Sequence, residues 1–526
     1  MPKRCLLMVL VFSTYVVAAD VSGGKQWWSY VEYLASDKLE GRLTGSEGHR
    51  QAVEYVAAHF RQDGLQPAGT EGYIQPVKFL SRTITEKESS VGLVGGGQHK
   101  PLRLGEDVII SAIVAPAPSI HVPLVFVGYG LSVPELKYDD LAGQDLHGKI
   151  TVYIAGGPSA IPAALRAHAG SLEERWRALH KAGALGSISI HNPHHMDIPW
   201  ARLKLLLLQP AMRLADPDMD ETPGEELALN FNPAEAEKLF QGSGHTFAEI
   251  VSAAERGVQV PRFPLAASLE VHAQYRQQEV TSQNVAGVLP GSDPKLKNEY
   301  VILSAHVDHL GVGEPINGDR IYNGAMDNAA GVATLIEVAD ALHASHATPR
   351  RSLLFLVVTG EEKGLLGSKY YAAHPTVPLR QIVGDLNVDM YLPIFPLKRL
   401  IVYGLEESDL GPLLKSVASS EGVEVQPDPA PERNVFIRSD QYSFIKKGIP
   451  SIFFSFGYTK GSPEETIVKQ WLTHRYHAPS DDVNQPVDLE AAAKYNEIVL
   501  RLAEAMADNA NRPHWNANSF FRRYAK

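Results

Sequence analysis

The sequence has one cysteine in 526 residues, Cys5, so no intrachain disulfide and no thiolate metal cage can be built from it. Basic charge is also short: 49 Lys+Arg stand against 60 Asp+Glu, for a formal net charge of −11. That balance leaves no basic stripe to displace counterions from phosphates and argues against a nucleic-acid partner. Beyond residue 20, no segment has the roughly 18 uncharged apolar residues of a membrane-spanning helix. Internal repeats and low-complexity stretches are missing as well. With 44% hydrophobic and 21% charged residues, the chain is not of the disordered, collagenous or coiled-coil type. Its length suggests two to four domains at about 150 residues each.

At the N-terminus, Lys3 and Arg4 precede an apolar run from Leu6 to Ala18, and Val17-Ala18-Ala19 places small residues before Asp20. This is the anatomy of a secretory signal peptide over residues 1–19. Its removal would take Cys5 away and leave a chain indifferent to an oxidising compartment. The expected location is periplasmic or secreted.

Residues 27–65 show helical patterning from Trp28 to Leu39 and from Gly48 to Phe60, on either side of the polar break Glu40 to Gly45. From about residue 85 to Pro264, prolines and glycines punctuate β-like pieces such as 91–97, 108–116, 123–127 and 149–154, with a helix over 172–181. From Asn298 the grammar changes. Short apolar runs at 300–305, 352–358, 382–388 and 451–456 alternate with helical segments at 328–343 and 489–508. That alternation predicts an α/β domain with a largely parallel central sheet.

Those strands run into loops carrying acids and histidine. His306, Asp308 and His309 follow the first, Glu361 and Glu362 the second, and Asp389 the third; Asp327 precedes the helix at 328, and His477 stands in a late loop. Ligands gather at the carboxyl ends of strands in open α/β sheets. Singly, each residue has an ordinary reading: Asp327 as a helix cap, the Glu pair as a solvated loop. Jointly they aim imidazole and carboxylate at one place. Such donors suit Zn²⁺, and two histidines with three carboxylates fit two ions with one bridging carboxylate. The adjacent glutamates allow one to bind metal and the other to act as general base. Asp308 is placed to orient the His306 imidazole.

At these residues the sequence resembles the co-catalytic di-zinc exopeptidases, the zinc aminopeptidase group related to glutamate carboxypeptidase and the transferrin receptor. The likeness rests on 304–311 (SAHVDHLG), 323–331 (NGAMDNAAG), 360–368 (GEEKGLLGS), 387–390 (NVDM) and 476–481 (YHAPSD). It implies a three-layer α/β/α domain with a mixed, largely parallel sheet. It further implies that His306 and Asp389 complete one zinc site and Glu362 and His477 the other, with Asp327 bridging. Glu361 becomes the general base, Asp308 orients His306, and the peptide after Asp327 is cis.

Residues 108–270 resemble an inserted β-rich protease-associated domain, through Pro123 to Gly130, Tyr138-Asp139-Asp140 and Gly148-Lys149-Ile150. The catalytic domain is then 20–107 plus 271–512, with a tail at 513–526. Gln441 stands where many relatives have histidine, so a substrate contact for that loop falls to Tyr442. The resulting expectation is a di-zinc aminopeptidase acting on peptides with a free N-terminus. Its rivals are a glutamate-carboxypeptidase-like enzyme, with Arg350, Arg399, Arg433 and Arg438 as carboxylate-binding candidates, a glutaminyl-cyclase-like transferase with one zinc, and a metal-free receptor-like binding protein. A serine hydrolase lacks its Gly-x-Ser-x-Gly elbow here.

Overall fold

Apolar runs without alternation form strands buried on both faces. In the computed structural model, which describes residues 21–196, 198–433 and 435–525, those runs are the centre of a ten-stranded mixed sheet. The expected signal peptide, 1–19, lies outside the described residues. In chain order the main strands are β1 (Ile74–Ile84), β2 (Ala211–Leu214), β3 (Tyr275–Leu289), β4 (Tyr300–His306), β5 (Ser352–Val358), β6 (Ile382–Asn387), β7 (Arg399–Tyr403), β8 (Glu424–Pro427) and β9 (Ser451–Phe456). Their order across the sheet is β2-β1-β3-β5-β4-β6-β9-β7-β8, and the short strand Gln66–Pro67 pairs with β3. The four central strands, β5-β4-β6-β9, are parallel, while β1, β2 and β3 add antiparallel ribbons on one side.

Alternate residues of β4 and β5 serve two cores. Val301, Leu303, Leu353 and Phe355 join a cluster with the helices α1 (Val21–Leu34), α2 (Glu47–Gln62), α3 (Ala330–Ala344) and α6 (Leu489–Asp508). Ile302, Leu354 and Leu356 join a second cluster with Tyr371 of α4 (Leu366–Ala373) and Phe444 of α5 (Gln441–Ile445). Each such side chain contributes about 1.5–3 kcal/mol by leaving water.

A second, eight-stranded sheet gathers strands from Ser90–Gly95 to Phe263–His272 around its own apolar cluster, including Phe126, Ile150, Ile188 and Phe231. It takes in Ser90–Gly95 and Gln98–Leu102, ahead of residue 108, while β2 leaves the middle of that span to pair with β1. No helix among the described residues is long and apolar enough to cross a membrane.

Several sequence expectations shift in the structure. The helix read as Trp28 to Leu39 ends at Leu34, and a 3-10 turn over Asp37–Arg42 carries Glu40, Gly41 and Arg42 at positive φ. Gly41 is needed there, since a Cβ would lie 2.2 Å from the Tyr322 carbonyl oxygen. The helix expected from Asn328 starts at Ala330, after a wide turn at Ala325–Ala329. The β-like piece 108–116 is a strand only over Val108–Ile110.

Candidate metal centre and its cleft

Register brings the loops together. His306, the last residue of β4, pairs with Val358 of β5, and Ser304 pairs with Asn387 of β6. The segments leaving these strands therefore meet at one edge. There His306 Nε2 lies 3.3 Å from Asp389 Oδ1 and 3.4 Å from Asp327 Oδ1. His477 Nε2 lies 3.2 Å from both Asp327 Oδ2 and Glu362 Oε2. The two oxygens of Asp327 thus face one histidine each. Glu361 joins His306 and Asp389 in one group of donor atoms; Asp327 and Glu362 form another with His309.

The electrostatics of the edge are those of a site built to take positive charge. Burial opposes the His306 imidazolium, but Glu361 and Asp389 outweigh it and hold its pKa well above the usual value. Burial likewise opposes His477, yet Glu362 and Asp327 lift it to about 10. Against the cost of burial, His477 and His309 drive Glu362 down to about 2, and His306 and His477 hold Asp327 well below the carboxylate range. Glu361 goes the other way: burial, then Glu362 and Asp389, raise its pKa well above normal although His306 pulls it down. His309 is fully buried, and both its ring nitrogens lack hydrogen bonds although Nδ1 lies 2.7 Å from Glu362 Oε1, itself unpartnered. These orphaned donors, all nitrogen and oxygen, fit zinc.

The supporting contacts differ from expectation at Asp308. His306 Nδ1 meets the main-chain oxygen of Asp308 at 3.1 Å, whereas the nearest carboxylate oxygen is 3.9 Å away. The Asp308 carboxylate instead accepts from the Glu361 N–H (3.1 Å), the Glu362 N–H (3.3 Å) and the Thr44 hydroxyl (3.0 Å). It fixes the glutamate loop. The Asp327–Asn328 peptide is cis. Asn328 donates to Val388 O and accepts from the Met390 and Gly331 N–H groups, tying the Asp327 turn to the Asp389 loop.

Other residues that hold the edge were not assigned from the sequence. Asp481 accepts from the Met326 and Asp327 N–H groups, both at 3.0 Å. The fully buried Arg42 donates to the main-chain oxygens of Leu34, Val307, Asn323 and Gly324. Ser439 donates to Asp389 Oδ2 at 2.6 Å and accepts from Asn387, which also donates to Gln441. Gln441 is thereby a buried structural amide. Asp481 lies four residues after His477, a spacing that could have flagged it; Arg42 has partners up to 282 positions away, which no local pattern shows.

Two cavities flank the centre. One of about 120 Å³ is lined by Met390, Leu392, Phe453, Phe456, Val468 and Leu472 among others. The other, about 380 Å³, runs between Glu361, His477 and residues of the second sheet's unit such as Leu172 and Glu173. Tyr442 lines it but is 4% exposed, and its hydroxyl is 2.8 Å from His168 Nδ1. Of the four arginines considered for a substrate carboxylate, Arg350 pairs with Asp293 and Arg399 with Glu424; Arg433 and Arg438 line the smaller cavity.

Residues 284–503 of the chain match the model of peptidase family M28. The protein described as "probable leucine aminopeptidase 2" in Aspergillus oryzae is 28% identical over 233 residues, 41% of this chain and 43% of that one. Carboxypeptidase Q of Xenopus laevis is 22% identical over 397 residues, 72% of this chain and 69% of that one. The chain spans about two fifths of the length of the first relatives it matches. An aminopeptidase from Aneurinibacillus sp. strain AM-1 shares the mixed α/β fold, with a TM-score of 0.55 at 20% identity over 94% of this chain and 95% of that one.

Proposed function

We propose that the protein is an aminopeptidase whose centre takes two zinc ions, His306 and Asp389 serving one, Glu362 and His477 the other, with Asp327 shared. The observation that carries this reading is Asp327, whose two oxygens face His306 and His477 separately. Bound there, zinc would supply Lewis acidity for a peptide carbonyl and for water. Glu361, half-buried and with a raised affinity for a proton, takes one from the attacking water and delivers it to the leaving amine. Asp308 keeps Glu361 and Glu362 in register through their N–H groups. The surrounding acids favour a substrate with a free, positively charged α-amino group. The apolar side of the smaller cavity, formed by Met390, Leu392, Phe453, Phe456, Val468 and Leu472, suits an apolar first side chain. In the same reading, the β-rich unit is a protease-associated-type insert walling the cleft, and residues 1–19 export the protein.

Metal content per chain, with turnover of a short peptide whose N-terminus is free or blocked, tests this. Two zinc equivalents and cleavage only of the free-amine peptide are expected. Cleavage of the blocked peptide from its other end would favour a carboxypeptidase, the second reading, which the likeness to carboxypeptidase Q and the cleft arginines Arg433 and Arg438 support. Metal-free protein with no turnover would leave a binding protein.

A further inference from the structure

The larger cavity carries charge that the chemistry above leaves unused. Besides Glu361 and Glu362 it is lined by three acids, Glu173, Asp220 and Glu221, and by the cations Arg213, Lys363, Lys369, Arg438 and Lys446. Each of the three acids is matched within the wall: Lys446 to Glu173 at 2.9 Å, Arg213 to Asp220 at 2.6 Å, and Lys369 to Glu221 at 2.6 Å. These pairs neutralise one another and leave Lys363 without a carboxylate partner in the wall.

Lys363 is therefore the cation of this wall that is available to a ligand. Its ammonium reaches only the side-chain oxygen of Gln209, at 3.5 Å, and has no salt bridge among the described residues. A lysine held in a cavity wall with one distant neutral acceptor is short of partners, since an ammonium offers three donors. It directly follows Glu362 in sequence and lines the same cavity as Glu361 and His477. A peptide bound with its first side chain in the smaller cavity must send its remainder the other way. The larger cavity is of small-ligand size, and a wall of inter-unit ion pairs bounds it.

We propose that the substrates are di- and tripeptides with a free C-terminal carboxylate, and that the Lys363 ammonium receives that carboxylate in the larger cavity. This rests on the aminopeptidase reading and narrows it to a substrate class. A charge-assisted hydrogen bond in a partly desolvated cavity discriminates strongly against a neutral analogue. Lys363 is a substrate-binding group here and takes no part in bond breaking.

The experiment compares kcat/KM of zinc-loaded protein for Leu-Gly-Gly and for the same peptide amidated at its C-terminus. The free acid should be preferred by about tenfold or more, chiefly through KM. In Lys363→Met the acid-to-amide ratio should fall to about one, and in Lys363→Arg it should persist, with zinc content equal to wild type in both. Equal turnover of acid and amide by the wild type overturns the inference and leaves the aminopeptidase reading intact. So does a preference that survives in Lys363→Met. Absence of turnover of either peptide would bring down the aminopeptidase reading, and this inference with it.

Discussion

The ten-stranded sheet and the eight-stranded sheet bury polar groups in opposite ways. At the carboxyl edge of the first, His306, Asp308, His309, Asp327 and Asp481 are nearly inaccessible, and loops from four strands meet over them. The second unit buries Asp107, Asp140 and Glu225 singly around an aliphatic and aromatic cluster, and the two donor groups able to hold a metal among the described residues lie outside it. Buried charge is costly unless paired, so a fold concentrates it where function demands it. On the proposed function the first sheet's edge is the chemical part and the second unit a wall. Each prediction below tests that division.

The largest effect is expected at the edge itself. Glu361→Gln keeps the volume and removes the proposed base, so kcat should fall by about 10³-fold with zinc content unchanged, as measured by steady-state kinetics and metal analysis. A loss below tenfold would break the contrast, because the edge would then hold buried charge without using it. Next comes the scaffold under the edge. Arg42→Ala strips hydrogen bonds from four buried main-chain oxygens, and urea unfolding should register a loss of about 3–5 kcal/mol. Because two of those oxygens belong to Asn323 and Gly324, just before the Asp327 turn, weaker zinc retention should accompany it.

The division also governed what could be read from the sequence. Ser352–Val358 and Ser451–Phe456 were legible because a strand buried on both faces is an uninterrupted apolar run. The donors were legible because a parallel sheet puts its acids and histidines directly after such runs. The strands β1 and β3 were not: the first half of β3 is exposed and reads as a polar loop, and only its long antiparallel pairing with β1 makes it a strand. His309 went unassigned since nothing in the sequence separates it from its neighbours; its role shows only when Glu362 arrives at 2.7 Å. Asp308 is expected from the sequence to orient His306, whereas its carboxylate reaches the Glu361 and Glu362 N–H groups across 53 and 54 residues. Local pattern locates residues at the ends of strands; it does not say which partner across the sheet each will find.

The smallest effect probes the wall, where buried charge is the exception. Glu225 is 6% exposed; one carboxyl oxygen accepts from Ser187 at 2.8 Å, and the other has no partner. Burial, against that one hydrogen bond, pushes its pKa up to about 7. A carboxyl whose pKa is raised on folding is held as the neutral acid, so its contribution is complete below the unfolded value near 4.5 and disappears as pH rises through about 7. Zinc-loaded protein should therefore lose up to about 3 kcal/mol in this unit between pH 5 and pH 8. Hydrogen exchange of the neighbouring strand Gly186–Ile190 should report the change locally, where a global melt would blend two units. In Glu225→Gln the pH dependence should flatten while kcat/KM stays at the wild-type value. An equal change in exchange at Ser352–Val358 would show that the two sheets unfold as one body, and the contrast between an edge and a wall would then describe chemistry without describing stability.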